Sequence, residues 1–153
     1  MTLSHDEVAG IVDLFGALSR PELDRALEEY GYRQDVEVPE EAVAAAVDAY
    51  ALVEYDPTDE DAAPRLAVGP AAFPELPEGA EDLPHILDVD VRAPNRAALE
   101  RAVEERFRGD VARAVADGDD DACRRLLDVS YDLEAWGDIE LRTLRERLDT
   151  ALS

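Results

Sequence analysis

The chain has 153 residues, 38 acidic and 15 basic, for a formal charge of −23. That length suits one domain or two small ones with a real core. No apolar run approaches the roughly 20 residues that span a bilayer, MTLSHDEVAG lacks the basic and apolar regions of a leader, and the single Cys123 excludes an intramolecular disulfide and any multi-cysteine metal cluster.

The first element is announced by SHDE (4–7), a capping box in which Ser4 caps and Glu7 reaches back. Val8, Ile11, Val12 and Phe15 follow at i, i+3, i+4, i+7, one apolar stripe of a helix. SRPE (19–22) repeats the device with Pro21 in the first turn, and Leu23, Ala26, Leu27 and Tyr30 repeat the stripe. Gly31 reads as the stop of this second helix. A third helix is predicted to open near Pro39 and run to about 51, with Val43, Ala46, Val47 and Tyr50 inward. ALVEYD (51–56) and RLAVG (65–69) read as two strands joined by the polar loop PTDEDAAP.

Residues 70–94 carry five prolines, yet Phe73, Leu76, Leu83, Ile86 and Leu87 argue against a free linker. The expectation is an extended segment packed along the N-terminal unit, with those side chains covered and a strand at 86–91. Asn95 then caps a long helix to about Ala116, with Leu99, Val103, Phe107, Val111 and Val115 inward and Gly118 as its end. Two further helices are predicted at 120–134 and 138–152, the last with Leu141, Leu144, Leu148 and Leu152 on one side. The fold class is mainly α with a small β-hairpin: a winged-helix-like unit over 1–75, a packed proline-rich connector over 76–94 and a helical unit over 95–153. The winged-helix likeness rests on element order over 4–69. It departs from a tight helix-turn-helix in the roughly eight residues between the second and third helices, where three or four are usual.

The charge is unevenly spread. Residues 1–91 hold 23 acids and four arginines, whereas 92–153 hold 15 acids and 11 arginines; lysine is absent. An acid excess on a composition that is 46% hydrophobic is that of a folded protein kept soluble at very high salt. At about 1 M salt the Debye length is roughly 3 Å, so self-repulsion is largely screened. The expected setting is a salt-rich archaeal cytosol. VDLFGALSRPEL (12–23), YALVEYD (50–56), GPAAFPELPEGAEDLPHILDVD (69–90), VEERFRGDVARAVADGDD (103–120) and LLDVSYDLEAW (126–136) together resemble an uncharacterised haloarchaeal protein family, a likeness over nearly the whole chain. The resemblance implies that same setting and assigns no site residues.

A DNA-reading third helix needs Arg, Lys, Asn or Gln facing the base edges. Here its outward residues are Glu40, Glu41, Ala44, Ala45 and Asp48, and the loop between the strands adds Asp56, Asp59, Glu60 and Asp61. Arg101, Arg108 and Arg113 on the long helix and Arg142, Arg145 and Arg147 on the last one read first as a salt-bridged, solvated helix surface; the candidate interaction surface, as the second reading, is Arg101, Arg108, Arg142 and Arg145 with Trp136. Glu100, Glu104, Glu105, Asp110, Glu146 and Asp149 alternate with them at salt-bridging spacing. Trp136 reads as core first and as an interface marker second.

Asp117, Asp119, Asp121 and Asp128 match an EF-hand count only until position 6, which is Ala122 rather than Gly. The helix-stop and N-cap reading is preferred. His85, Asp88 and Asp90 are a weak metal signal on a strand edge. Cys123, spaced like Leu126 and Leu127, reads as a small core thiol. No catalytic, cofactor or metal site is assigned, since GxSxG, P-loop, GxGxxG and HExxH are all absent. The expected function is a non-catalytic interaction module binding a protein partner or itself. A transcription-related regulator with weak or indirect DNA association is the alternative, and an acid- or metal-dependent enzyme trails both.

Overall fold

The computed structural model describes residues 3–57, 63–137 and 139–153. They divide into two units, Met1–Leu99 and Glu100–Ser153. Among the described residues are seven helices and one three-stranded antiparallel sheet.

In the first unit, α1 (His5–Phe15) starts on the reciprocal Ser4–Glu7 box, and all four stripe residues are buried. The chain turns at Gly16, forms the two-residue strand β1 (Leu18–Ser19), and enters α2 (Arg20–Gln34) through the second box, Ser19–Glu22. α2 does not stop at Gly31. The helix continues for three residues to a left-handed Asp35, where the Val36 N–H returns 3.0 Å to the Gly31 carbonyl. A glycine weakens a helix by about 1 kcal/mol, too little to end one whose next residues favour it. At Gly31 the missing Cβ instead lets Val36 and Val38 lie close against the helix.

α3 (Ala42–Asp48) is shorter than its periodicity suggests. Pro39–Glu41 form a turn ahead of it, with no side-chain cap, and Tyr50 takes positive φ after it. β2 (Leu52–Tyr55) and β3 (Arg65–Val68) pair as the predicted hairpin, with Val53 opposite Ala67. Their connecting Asp59, Glu60 and Asp61 lie outside the described residues. β1, unforeseen in the sequence, pairs Leu18 with Leu66, so β3 is the central strand in the order β1-β3-β2.

Residues 70–94 do pack along this unit, in a different form from the one expected. The Glu75 N–H donates to Asp6 O (2.9 Å), Tyr30 Oη donates to Glu78 O (2.9 Å), and the Arg92 N–H donates to Phe15 O (2.8 Å). Ala80 and Leu83 join the core of α1, α2, α3 and the sheet. The predicted strand at 86–91 is absent. Pro84 in a first turn suits the short helix α4 (Leu83–Leu87), which ends on a left-handed Asp88. Phe73 (78% exposed) and Leu76 (46%) are also not covered, contrary to the expectation. The main chain here is held by Asp6, whose Oδ1 accepts from the Phe73 N–H (3.1 Å) and whose carbonyl accepts from the Glu75 N–H, so the backbone is anchored while both side chains stay exposed.

Gly10 makes this docking measurable. A Cβ there would stand 2.1 Å from the Glu75 carbonyl oxygen. Helix propensity alone makes Gly10→Ala stabilising by about 1 kcal/mol; the close approach reverses the sign. We expect destabilisation of about 2 kcal/mol or more in urea unfolding. A gain in stability would mean that the segment does not lie on α1.

α5 (Arg96–Asp117) follows Asn95, whose Oδ1 accepts from the Ala98 N–H (3.1 Å), and from Glu100 onward it belongs to the second unit. Val103, Phe107, Val111 and Ala114 are buried, and Val115 is half-buried. Gly118, at φ 64, ends the helix, and Asp119 caps α6 (Asp120–Trp136) by accepting from the Ala122 N–H (3.1 Å). α7 (Arg142–Leu152) starts later than predicted, after Leu141, and packs on α6; Leu141, Leu144 and Leu148 are buried and Leu152 is partly so.

Candidate interaction surfaces

On the first unit, exposed Glu40 and Glu41 stand in the turn before α3, and the outward side of α3 itself carries exposed Ala44 and Asp48, with Ala45 half-buried. No cation stands on that helix. Of the nearby arginines, Arg20 pairs with Asp24 (3.2 Å) and Arg33 with Glu29 (2.7 Å).

Between α2 and the turn into α3 lies a groove of about 400 Å³. Leu27, Val38, Pro39 and Val43 give it an apolar lining, and Arg20, Asp24, Glu28 and Glu40 give it a charged rim. Its existence follows from local geometry. Gly31 lets Val36–Val38 fold back on α2, and the α2 spacing brings Asp24 and Glu28 to one edge. Tyr32, one turn beyond Glu28, is 85% exposed. Sequence reading passed over Glu28, Tyr32 and this groove, because Val38 and Pro39 resemble ordinary loop residues until the chain folds back. The four-residue spacing of Asp24, Glu28 and Tyr32 was the available signal.

Arginines of the C-terminal half stand beside carboxylates along α5 and α7. Arg101 and Arg108 are exposed on one side of α5, and Arg108 pairs with Glu104 (3.0 Å). Arg106 and Arg113 both reach Asp110. Arg142 is exposed on α7 beside Glu146 (3.6 Å). Arg145 turns inward instead: it binds Glu134 and lies 4.8 Å over the Tyr131 ring. The Arg145 hydrogen bond holds the Glu134 carboxyl below the ordinary carboxylate range. Trp136, at the end of α6, is half-buried. Arg145 and Trp136 are therefore structural members of the unit before they are surface groups.

The remaining candidates separate. His85 is exposed within α4, and with the strand gone, Asp88 and Asp90 share no strand face with it. Asp119 is a helix cap. Among the described residues, no three His, Cys, Asp or Glu side chains converge as metal ligands do. Cys123 is 1% exposed, and burial, aided by Asp120, pushes its thiol above the ordinary range. Thiolate is the reactive form. Cys123 should thus take up less than about 5% of a maleimide or disulfide reagent in the native state in an hour and react fully in 6 M guanidinium, by mass spectrometry. Rapid native labelling would place it outside the core.

Comparison with known proteins adds a family to this geometry. A family model described as a family of unknown function (DUF7109) matches residues 6–153. The chain belongs to that family. No curated protein and no solved structure matches it. Among the described residues, no helix is long and apolar enough to cross a membrane.

Proposed function

We propose that this chain is a non-catalytic interaction module with a winged-helix-like N-terminal unit, acting in a salt-rich cytosol on a protein partner or on a second copy of itself. The observation that carries the reading is that α3 has no donor side chain and is flanked by acids, Glu40 and Glu41 in the turn before it and Asp48 at its end, where a reader of DNA would present donors. The helix-strand-helix-helix-strand-strand order and the β1-β3-β2 sheet favour the winged-helix comparison. Fold likeness by itself leaves the partner open, since one scaffold can serve nucleic acid or protein.

Indirect DNA association through the arginine-bearing unit has less support. Arg106, Arg108, Arg113, Arg124, Arg142 and Arg145 each stand within ion-pair distance of a carboxylate. Molar salt also removes much of the counterion-release drive for phosphate binding.

The test is affinity purification of the tagged chain from its native cytosol in about 2 M KCl, with and without nuclease, at a salt level where the Debye length is below roughly 3 Å. A nuclease-resistant protein partner, or a stable homo-oligomer by light scattering, is expected. DNA retained at that salt, with no protein partner, would overturn the proposal.

A further inference from the structure

A hollow of about 490 Å³ mixes Leu3, Ala49, Ala51 and Ala71 with Ser4, His5 and Asp6, but nothing about it selects an occupant. A hollow of about 380 Å³ between α5 and α7 mixes Glu146 and Arg147 and favours neither charge. The α2–α3 groove differs, because its lining and its rim both specify chemistry.

We propose that the groove between α2 and α3 docks a basic, amphipathic segment of a protein partner, laying a Leu-like side chain and the stem of an Arg or Lys on its apolar lining. This rests on the interaction-module reading and names its surface. Leu27 and Val43 are nearly fully buried and form the floor, while Val38 and Pro39 are half-covered walls. Apolar stems of long cations pack on such surfaces with the charge held at the edge. Glu28 and Glu40 wait at that edge. Among the described residues neither has an ion-pair partner, whereas Asp24 is already held by Arg20. The complementarity is thus two unpaired carboxylates on opposite walls, one from α2 and one from the turn before α3.

Tyr32 extends the surface along α2 and offers an aromatic face to a second cation. From Arg20 to Tyr32 the edge runs about 18 Å, at roughly 1.5 Å per residue. That length fits several side chains of one segment and exceeds a small organic cation. Close contact pairs also persist at salt levels that erase the chain's diffuse negative field.

The probe is a fluorescein-labelled 14-residue peptide of leucine and arginine in helical spacing, titrated by anisotropy in about 0.5 M KCl, where the Debye length is only a few ångström. NMR methyl shifts are read in parallel. Expected are saturable binding, shifts centred on Leu27, Val38 and Val43, and at least a tenfold weakening in E28R/E40R. The control E105R/D128R makes the same change in net charge at exposed positions of the second unit and should weaken binding less than twofold. Circular dichroism melts verify that both variants fold. Equal weakening in the two variants, scattered shifts, or displacement by spermine at equal concentration would overturn the groove. The same variants enter the purification experiment. A protein partner retained equally by wild type and E28R/E40R would overturn the groove and leave the interaction reading standing. Groove-centred peptide shifts with no partner retained would overturn the reading and support the groove.

Discussion

Gly16→Ala is expected to be the most damaging single substitution among those considered, at about 3 kcal/mol or more in urea unfolding followed by circular dichroism. Two independent effects add there. Gly16 sits at φ 82 and ψ −60, a conformation costly for any residue with a Cβ. A Cβ built there would also stand 1.8 Å from the Arg92 carbonyl oxygen. That oxygen is main chain, held by the hydrogen bond from the Arg92 N–H to Phe15 O, so no side-chain rotation relieves the overlap. Gly118→Ala is the control. Gly118 also has positive φ, 64, but nothing lies within 4 Å of the added carbon. It should cost about 1 kcal/mol, the conformational part alone. The difference between the two variants measures how tightly residues 88–94 are held on α1. Similar losses in both would show that the close approach at Arg92 contributes nothing.

The second large effect is expected at Glu22. Its carboxylate accepts two hydrogen bonds from Arg92, Nη1 to Oε1 at 2.9 Å and Nη2 to Oε2 at 2.7 Å, a bidentate pair with both side chains largely covered. The Arg92 hydrogen bonds are the main cause that lowers its pKa to about 2, against the opposing effect of burial. A folded pKa below the unfolded value means that the charged form is stabilised by folding. The contribution is fully present above the ordinary pKa of 4.5 and disappears as pH falls from there toward 2. It is about 3 kcal/mol at most, before solvent screening of the partly exposed pair. Glu22→Gln can retain the capping contact to the Ser19 N–H, since either residue serves at that position. It should therefore lose about 1 to 2 kcal/mol at pH 7 through the ion pair alone, once solvent screening is applied. Its stability curve should also be flatter than wild type between pH 4.5 and 2. A double-mutant cycle with Arg92→Gln reads the coupling directly. An unchanged pH profile in Glu22→Gln would mean that the pair does not form in solution.

The Glu22 case marks the boundary between what is local and what is not. SRPE in the sequence shows a capping box, and that role is present. The same carboxylate is also the partner of an arginine 70 positions away, which no window of sequence contains. Arg145 behaves likewise. Its spacing on the last helix suggests a surface cation, and its partner Glu134, on the preceding helix, turns it inward. The candidate groove belongs to this class too. The α2 edge is periodic and readable, while the opposing wall depends on how Val36–Pro39 return over Gly31.

What the sequence by itself determined is whatever hydrogen bonds or packs within one turn. The starts at Ser4, Ser19, Asn95 and Asp119, the stop at Gly118, and the buried stripes of α1, α2, α5 and α7 all arise from partners three or four residues apart. The acid excess and the lack of donors on α3 were equally legible, being composition. Tertiary structure alone decided the rest. β1 is two residues long and exists only because β3 lies beside it. Val36 and Val38 lie close on α2 because Gly31, inside the helix, has no Cβ. Phe73 and Leu76 stay exposed because main-chain bonds to Asp6, rather than their own burial, hold the segment down. Apolar composition predicts that a side chain gains by burial; only the path of the backbone determines whether it reaches the core.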